Sequence, residues 1–334
     1  MNNIDVRKYK LSIAPMLDWT DKHYRYFMRQ ITKETLLYTE MITANAIIHG
    51  DRNKLLNFSE IEKPLVLQLA GDNPQNLAES CKIAESYGYT EINLNIGCPS
   101  PRVQNGNFGA CLMATPNIVA KCFEEMQNAV NIPITVKNRI GIDGRETYEE
   151  LVEFISTVSN AGCKKFIVHA RIAILKGLDP KENRSVPPLK YDSVYRLKSE
   201  FPHLIIDING GIKTLEDASE HLKYVDGVMI GRQAYEKPYM FALADSLILG
   251  ESKNIPSRRE IIENMIPYIE KCEKNGIMAR YVIMHMLGLF TNQKGSKAWK
   301  RFLSENMHDK TKLGSKILSD VIKLLPQDVL DNDF

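Results

Sequence analysis

HLIIDINGGIKTLEDASEHLKYVDGVMIGR, residues 203–232, holds one complete strand–helix–strand unit. Leu204-Ile205-Ile206-Asp207-Ile208 is a short β-branched run that stops at Asn209-Gly210-Gly211. TLEDASEHLKY then opens on Thr214, with acidic residues two and three places later, close to a helix capping box. A second short run, DGVMIGR, closes the unit. Two strands joined through a helix run parallel, because a hairpin turn cannot connect them.

The same unit repeats outward through the chain. Seven further or overlapping steps read SIAPM (12–16), TLLYTEM (35–41), PLVLQLA (64–70), EINLNIG (91–97), IPITVKNRI (132–140), KKFIVHAR (164–171) and DGVMIGR (226–232), which with HLIIDINGG makes eight strands. Each is a brief apolar-rich run of the kind a buried parallel strand presents. Helical patterns lie between them. Asn73-Pro74 starts one that stops at Gly88, and Thr115-Pro116 starts a second. ETYEELVEFISTVSNAG aligns Leu151, Phe154, Ile155 and Val158 on one stripe and stops at Gly162. Eightfold alternation predicts an α/β protein with a (β/α)8 TIM barrel. A doubly wound sheet is the alternative, since alternation alone does not close a barrel.

The pattern changes near residue 250. ESKNIPSRRE (251–260) is polar and reads as a linker, and no strand run follows it. Helical stretches are expected at 258–275, 277–291 and, with breaks, 296–325. The domains expected are therefore a barrel over 1–250 and a small all-helical C-terminal domain over 251–334.

Composition narrows the class. With 334 residues, 44% hydrophobic and 25% charged, the chain is an ordinary globular protein and not a disordered one. A net charge of +2 names no partner globally. Locally, residues 294–316 carry seven basic and two acidic side chains. The six cysteines form no CxxC or CxxH pair, so no metal site is expected. MNNIDVRKYK lacks the apolar core of an export signal, and no run of 18 apolar residues occurs. A cytoplasmic monomer with no membrane contact is the expectation.

In such a barrel the chemistry lies at the C-terminal ends of the strands. Reading only those ends gives Pro15, Met16, Glu40, Gln68, Asn95, Cys98, Lys137, Arg139, His169, Arg171, Asn209, Gly210, Gly211, Gly231 and Arg232. Glycine lets backbone approach a ligand closely, and loops after strands seven and eight commonly hold phosphate in this fold. A tight turn would explain Gly210-Gly211 equally well taken alone. Lys137 follows the apolar run ITV, where an ammonium is costly unless it meets an anion or a polar ring. His169 alone would read as a core histidine; beside Lys137 and Arg139 it reads as part of a cationic cluster. Cys81, Cys122 and Cys163 fall on helical stripes and read as small hydrophobes. Cys98 lies in a glycine-rich loop at the barrel mouth, where a thiol serves as nucleophile or general acid. The residues themselves leave those two roles open.

Seven segments taken together resemble the tRNA-dihydrouridine synthases, and within them the DusA-type subgroup. They are APMLDWTDKHYRYF (14–27), NIGCPS through VQNGNFGACLM (95–113), VKNRIGID (136–143), HAR (169–171), GLDPKENRSVPPLKY (177–191), INGGIKTLEDA (208–218) and DGVMIGRQAYEKP (226–238). GSKAWKRFLSEN (295–306) extends the likeness into the C-terminal region. The resemblance implies bound FMN, with Pro15, Met16, Gln68, Lys137, His169, Asn209, Gly210, Gly211, Gly231 and Arg232 as its ligands. It implies NADPH as a transient reductant, hydride transfer to uracil C6 in the tRNA D-loop at positions 20 and 20a, and a proton from Cys98 to C5. An ordinary thiol, with a pKa of about 8.5, is mostly protonated at neutral pH, which suits an acid. Asn95, Arg139 and Arg171, with Lys137 and His169, would hold the uracil carbonyls. Lys181 and Arg184, with Lys297, Lys300 and Arg301, would contact tRNA. Lysines at 297 and 300 stand where the subgroup usually has arginines, which loses the bidentate fork. Two other readings compete: an FMN barrel acting on a free pyrimidine, and a non-catalytic RNA-binding barrel. The first leaves the basic helical region unexplained, and the second leaves Cys98 and Lys137 without a use.

Overall fold

The computed structural model describes residues 9–248, Gly250 and residues 255–331. Eight strands form one parallel sheet: β1 (Leu11–Ile13), β2 (Leu37–Thr43), β3 (Leu65–Ala70), β4 (Glu91–Ile96), β5 (Ile134–Arg139), β6 (Lys165–His169), β7 (Ile205–Asn209) and β8 (Gly227–Ile230). They pair in chain order from β2 to β8, and β8 pairs with β1. The remaining seam is joined by a parallel bridge between Ser12 and Leu36. There Ile13 N donates to Leu36 O at 2.9 Å, and Leu36 N to Leu11 O at 3.1 Å. That seam closes the cylinder and excludes the doubly wound sheet.

The strand–helix units start where local chemistry says they should. Asn73 accepts from Asn76 N at 2.9 Å to cap the helix Pro74–Glu85. Thr214 and Asp217 exchange a capping box at 3.0 and 3.2 Å ahead of Leu215–His221. Thr147 and Glu150 do the same for Tyr148–Asn160, whose Leu151, Phe154, Ile155 and Val158 are all buried. The helix Pro116–Ala129 starts without a side-chain cap from Thr115, so Pro116 supplies its start signal alone.

Inside the cylinder the alternation of strand side chains brings polar groups together. Glu91, Asn93 and Asn95 alternate with buried Ile92, Leu94 and Ile96 along β4. Thr135, Lys165 and Asp207 are likewise buried. Lys165 Nζ lies 3.3 Å from Asp207 Oδ2. Asp207 and Glu91 together raise the Lys165 pKa, overcoming its burial. Burial pushes the Asp207 carboxyl up to about 6 despite Lys165, with Glu91 adding like-charge repulsion. The two carboxyls thus raise the ammonium, while burial raises the Asp207 carboxyl against it.

The chain divides into two compact units that do not meet at residue 250. The first comprises residues 1–17 and 36–231, and the second residues 18–35 and 232–334. The expected boundary is therefore displaced, because the helix Lys22–Ile31 belongs with the C-terminal helices. His23 Nδ1 lies 2.8 Å from Tyr268 Oη, and Thr32 Oγ1 donates to Asp245 at 2.5 Å. Among the described residues the second unit holds helices and turns only, including Arg258–Lys274, Ser296–Asn306 and Gly314–Ile322. The stretch 277–291 is not one helix; Arg280–Ile283 passes into a tighter turn at Met284–Met286. No helix among the described residues is long and apolar enough to cross a membrane.

Candidate active site

Because all eight strands are parallel, their C-terminal ends share one rim of the barrel. Register sets the neighbours on that rim. Asn95 pairs with Lys137, Arg139 with His169, and His169 with Asn209. Gln68 and Asn95 are joined directly, Asn95 Nδ2 donating to Gln68 Oε1 at 2.9 Å. Asn209 Nδ2 donates to Met229 O at 2.7 Å, tying β7 to β8. Pro15 and Met16 follow β1 and are half-buried, as is His169 at the end of β6.

Cys98 is set by the turn that leaves β4. Asn95 Oδ1 accepts from both Gly97 N (3.1 Å) and Cys98 N (3.0 Å). The loop then doubles back, and Ala110 N donates to Cys98 O at 3.0 Å. Gly109 makes this return possible: its φ is +73°, and a β-carbon there would lie 2.3 Å from Val103 Cγ1 and 2.7 Å from Cys98 O. The Cys98 thiol is half-buried, with Sγ 3.6 Å from Ser100 Oγ. The other cysteines are less available. Cys81, Cys122 and Cys163 are fully buried, and desolvation pushes their thiols far up, Cys122 to about 12. Cys111 donates to Phe108 O at 3.0 Å and is also raised by burial.

Lys137 carries the main electrostatic signal. Burial first, and then the neighbouring Arg139 guanidinium, lower its pKa to about 8, while Cys98 acts the other way. No carboxylate contributes to that balance. An ammonium so placed favours an electron-rich or anionic group beside it.

The two arginines expected to touch a base are held by backbone instead. Arg139 is 4% exposed. Its Nε donates to Gly97 O at 3.1 Å, and its Nη1 to Ile172 O at 3.0 Å and Asn183 O at 2.9 Å. Burial, with Arg171 and Arg184 nearby, draws its pKa down to about 10 against the pull of Cys98. Arg171 Nη1 donates to Pro187 O and lies 3.4 Å from Ser185 O. Both guanidiniums therefore fasten the loop after β6 in place, and Arg139 joins it to the Cys98 loop. Asn183, fully buried, meets Ile174 through both ends of its amide. Gln104 Nε2 bridges Pro99 O (2.8 Å) and Leu175 O (3.0 Å). Sequence reading missed Asn183 and Gln104, since neither type nor spacing marks a loop staple.

The glycines divide by cause. Gly210 and Gly211 have φ of +114° and +74°, so the turn itself calls for glycine. Gly231 has no such φ, and a β-carbon there would only touch Ala14 Cβ at 3.8 Å. Nothing in the fold requires glycine at 231. Arg232 follows it as the first residue of the helix Arg232–Glu236, in the second unit.

Lys181 and Arg184 are exposed at the turn Glu182–Arg184 of the first unit. Lys297, Lys300 and Arg301 are exposed on the helix Ser296–Asn306 of the second unit, where Arg301 pairs with Glu305 at 2.8 Å. Trp299, between those lysines, is fully buried and donates to Met286 O at 3.1 Å, so it is a core residue and not a base-stacking one. Among the described residues no cluster of three His, Cys, Asp or Glu side chains could hold a metal.

Comparison with known proteins fits this architecture. The dihydrouridine synthase (Dus) family model matches residues 12–326. A Synechocystis protein named tRNA-dihydrouridine(20/20a) synthase is 58% identical over 296 residues, 89% of either chain. Proteins of the same name from Vibrio vulnificus and Escherichia coli are 54% and 52% identical, covering 96% and 95% of this chain and 98% and 96% of their own. A match of that extent, carried on a closed barrel, places this chain in the dihydrouridine synthase family, in its DusA-type branch.

Proposed function

We propose that this protein reduces the C5–C6 double bond of uridine at positions 20 and 20a of the tRNA D-loop, giving 5,6-dihydrouridine, with FMN as cofactor and NADPH as reductant. The observation that carries the reading is the half-buried Cys98 thiol in a loop fastened beside Lys137, within a chain so similar to proteins of that name. Two features fit FMN. Among the described residues no carboxylate acts on Lys137, and the space at Gly231 would be taken by any side chain. Gly210, Gly211, Gly231 and Arg232 would hold the phosphate, Lys137 would face the electron-rich edge of the ring, and Pro15, Met16, Gln68, His169 and Asn209 would complete the contacts.

Bound there and reduced by NADPH, FMN would supply the hydride that reaches uracil C6. Cys98 supplies the proton to C5, and the thiolate left behind recovers its proton from solvent. Asn95 and Lys137 stabilise the charge that develops on the uracil carbonyl. Arg139 and Arg171 act at one remove, by holding the two loops that shape the mouth. The uridine must leave its stack to arrive, at a cost of a few kcal/mol. The exposed cations Lys181, Arg184, Lys297, Lys300 and Arg301 offset that cost by attracting the tRNA backbone.

The test is direct. Purified protein is expected to be yellow, to be bleached by NADPH, and to install dihydrouridine in a tRNA transcript at 20 and 20a. Mapping dihydrouridine in tRNA from cells with and without the gene completes it. Colourless protein that binds tRNA, or turnover of free uracil without RNA, would replace this reading with one of its competitors.

A further inference from the structure

We infer that Thr135, buried deep in the barrel, is a positioning residue for the reaction, acting on Asn95 and Cys98 through a one-way chain of hydrogen bonds. The backbone N–H groups of Gly97 and Cys98 both point at Asn95 Oδ1, at 3.1 and 3.0 Å. An N–H can only donate, so the oxygen side of that amide is fixed. Asn95 Nδ2 must then donate to Gln68 Oε1 (2.9 Å), and Gln68 Nε2 to Asn93 Oδ1 (2.8 Å). Asn93 Nδ2 in turn donates to Thr135 Oγ1 (2.9 Å). The threonine hydroxyl, already an acceptor, gives its single proton to Glu91 Oε1 at 2.6 Å.

Every side chain in this hydrogen-bonded series is 8% exposed or less, so bulk solvent has little access to a lost partner. Flipping any one amide sets N–H against N–H or oxygen against oxygen, which leaves buried groups unsatisfied. The direction therefore runs unbroken from the Cys98 loop to Glu91. Its consequence at the mouth is chemical. Both acceptor positions of Asn95 Oδ1 are occupied, and the hydrogen-bonding capacity left to Asn95 is an Nδ2 hydrogen. Asn95 can meet a carbonyl oxygen of a bound pyrimidine, and it has no acceptor to give an exocyclic amine. This inference rests on the reading of the rim as the pyrimidine site, though the chain of bonds itself does not.

Thr135→Val keeps the shape and removes the hydroxyl, while Thr135→Ser keeps the hydroxyl. Hydrogen–deuterium exchange on the full-length protein without tRNA reads the chain directly. For Thr135→Val, exchange at the Gly97 and Cys98 amides is expected to quicken roughly tenfold, the loss of about one hydrogen bond, with the rest of the barrel unchanged. Turnover on tRNA should fall by a similar factor at unchanged KM, and Thr135→Ser should restore both. Equal quickening throughout the barrel, or protection at 97–98 that ignores the hydroxyl, would overturn the inference. Should Thr135→Val not fold, the unsubstituted protein still decides. The side-chain amide protons of Asn93 and Gln68 must exchange far more slowly than surface amides, and rapid exchange would refute the chain. Failure of the parent protein to form dihydrouridine would sink the functional reading while leaving the exchange result intact.

Discussion

Replacing Arg139 with methionine separates two roles that activity alone would confuse. The guanidinium holds three backbone carbonyls, Gly97 O, Ile172 O and Asn183 O, at 2.9 to 3.1 Å. Hydrogen bonds from a charged donor contribute about 1.5–3 kcal/mol each. Three of them, offset by the burial that already draws the Arg139 pKa down to about 10, leave roughly 3 kcal/mol to lose. For a unit of this size about 1 kcal/mol moves Tm by ~2–4 °C, so Arg139→Met should melt about 6–12 °C below the parent. The loss should be local as well, with faster proteolysis in 172–190, where two of the three freed carbonyls lie. Arg139→Lys should recover about one bond, because a compact ammonium cannot span all three acceptors. Thermal melting, limited proteolysis and dihydrouridine yield are the assays. An Arg139→Met protein that melts within about 2 °C of the parent, resists protease and yet makes no product would refute this reasoning. It would assign the guanidinium to the bound base.

Three further outcomes follow from the site. Cys98→Ala should keep its yellow colour and its NADPH oxidation while dihydrouridine formation falls by roughly 10²–10⁴, the usual contribution of a positioned acid; an unchanged yield removes the thiol from the reaction. Lys297→Ala with Lys300→Ala should leave Tm unaltered, since both side chains are exposed, and should weaken tRNA binding with a salt slope shallower by about one unit per lost phosphate contact. Lys137 is charged only below its pKa, lowered to about 8 by burial. Flavin retention should therefore decline as pH rises through and above about 8, a bound anionic group moving the fall upward, and Lys137→Met should retain little flavin at pH 7, as read by absorbance of the desalted protein.

The barrel was legible because its strands are short, β-branched and punctuated, and because Asn73-Pro74 and Thr214 carry helix-start chemistry in the residues themselves. Closure is not legible in the same way, since the Ser12–Leu36 bridge leaves no trace in composition. Reading strand ends singles out Cys98, Lys137 and His169, which lie on or just after β4, β5 and β6. The same habit overlooked Glu91, Asn93 and Thr135, which lie earlier on their strands. Their signal was present in EINLNI, where polar residues fall at every second place, the period of one strand face. Arg139 and Arg171 show the opposite limit. Their place at strand ends suggested ligands, but sequence cannot tell whether a buried guanidinium meets a bound molecule or a neighbouring carbonyl. The displaced boundary has a related cause: TDKHYRYFMRQI reads like any barrel helix, and only its partners Tyr268 and Asp245 assign it elsewhere.

The chain crosses from one unit to the other three times, after residues 17, 35 and 231. The helical part is therefore threaded through the gene, and it is no detachable appendix. Cutting at 250 would leave Phe27, Met28 and Ile31, all buried, on a helix that has lost its neighbour Arg258–Lys274. Anyone grafting the helical half of a relative onto this barrel must transplant two pieces together, the segment 18–35 and everything beyond 231.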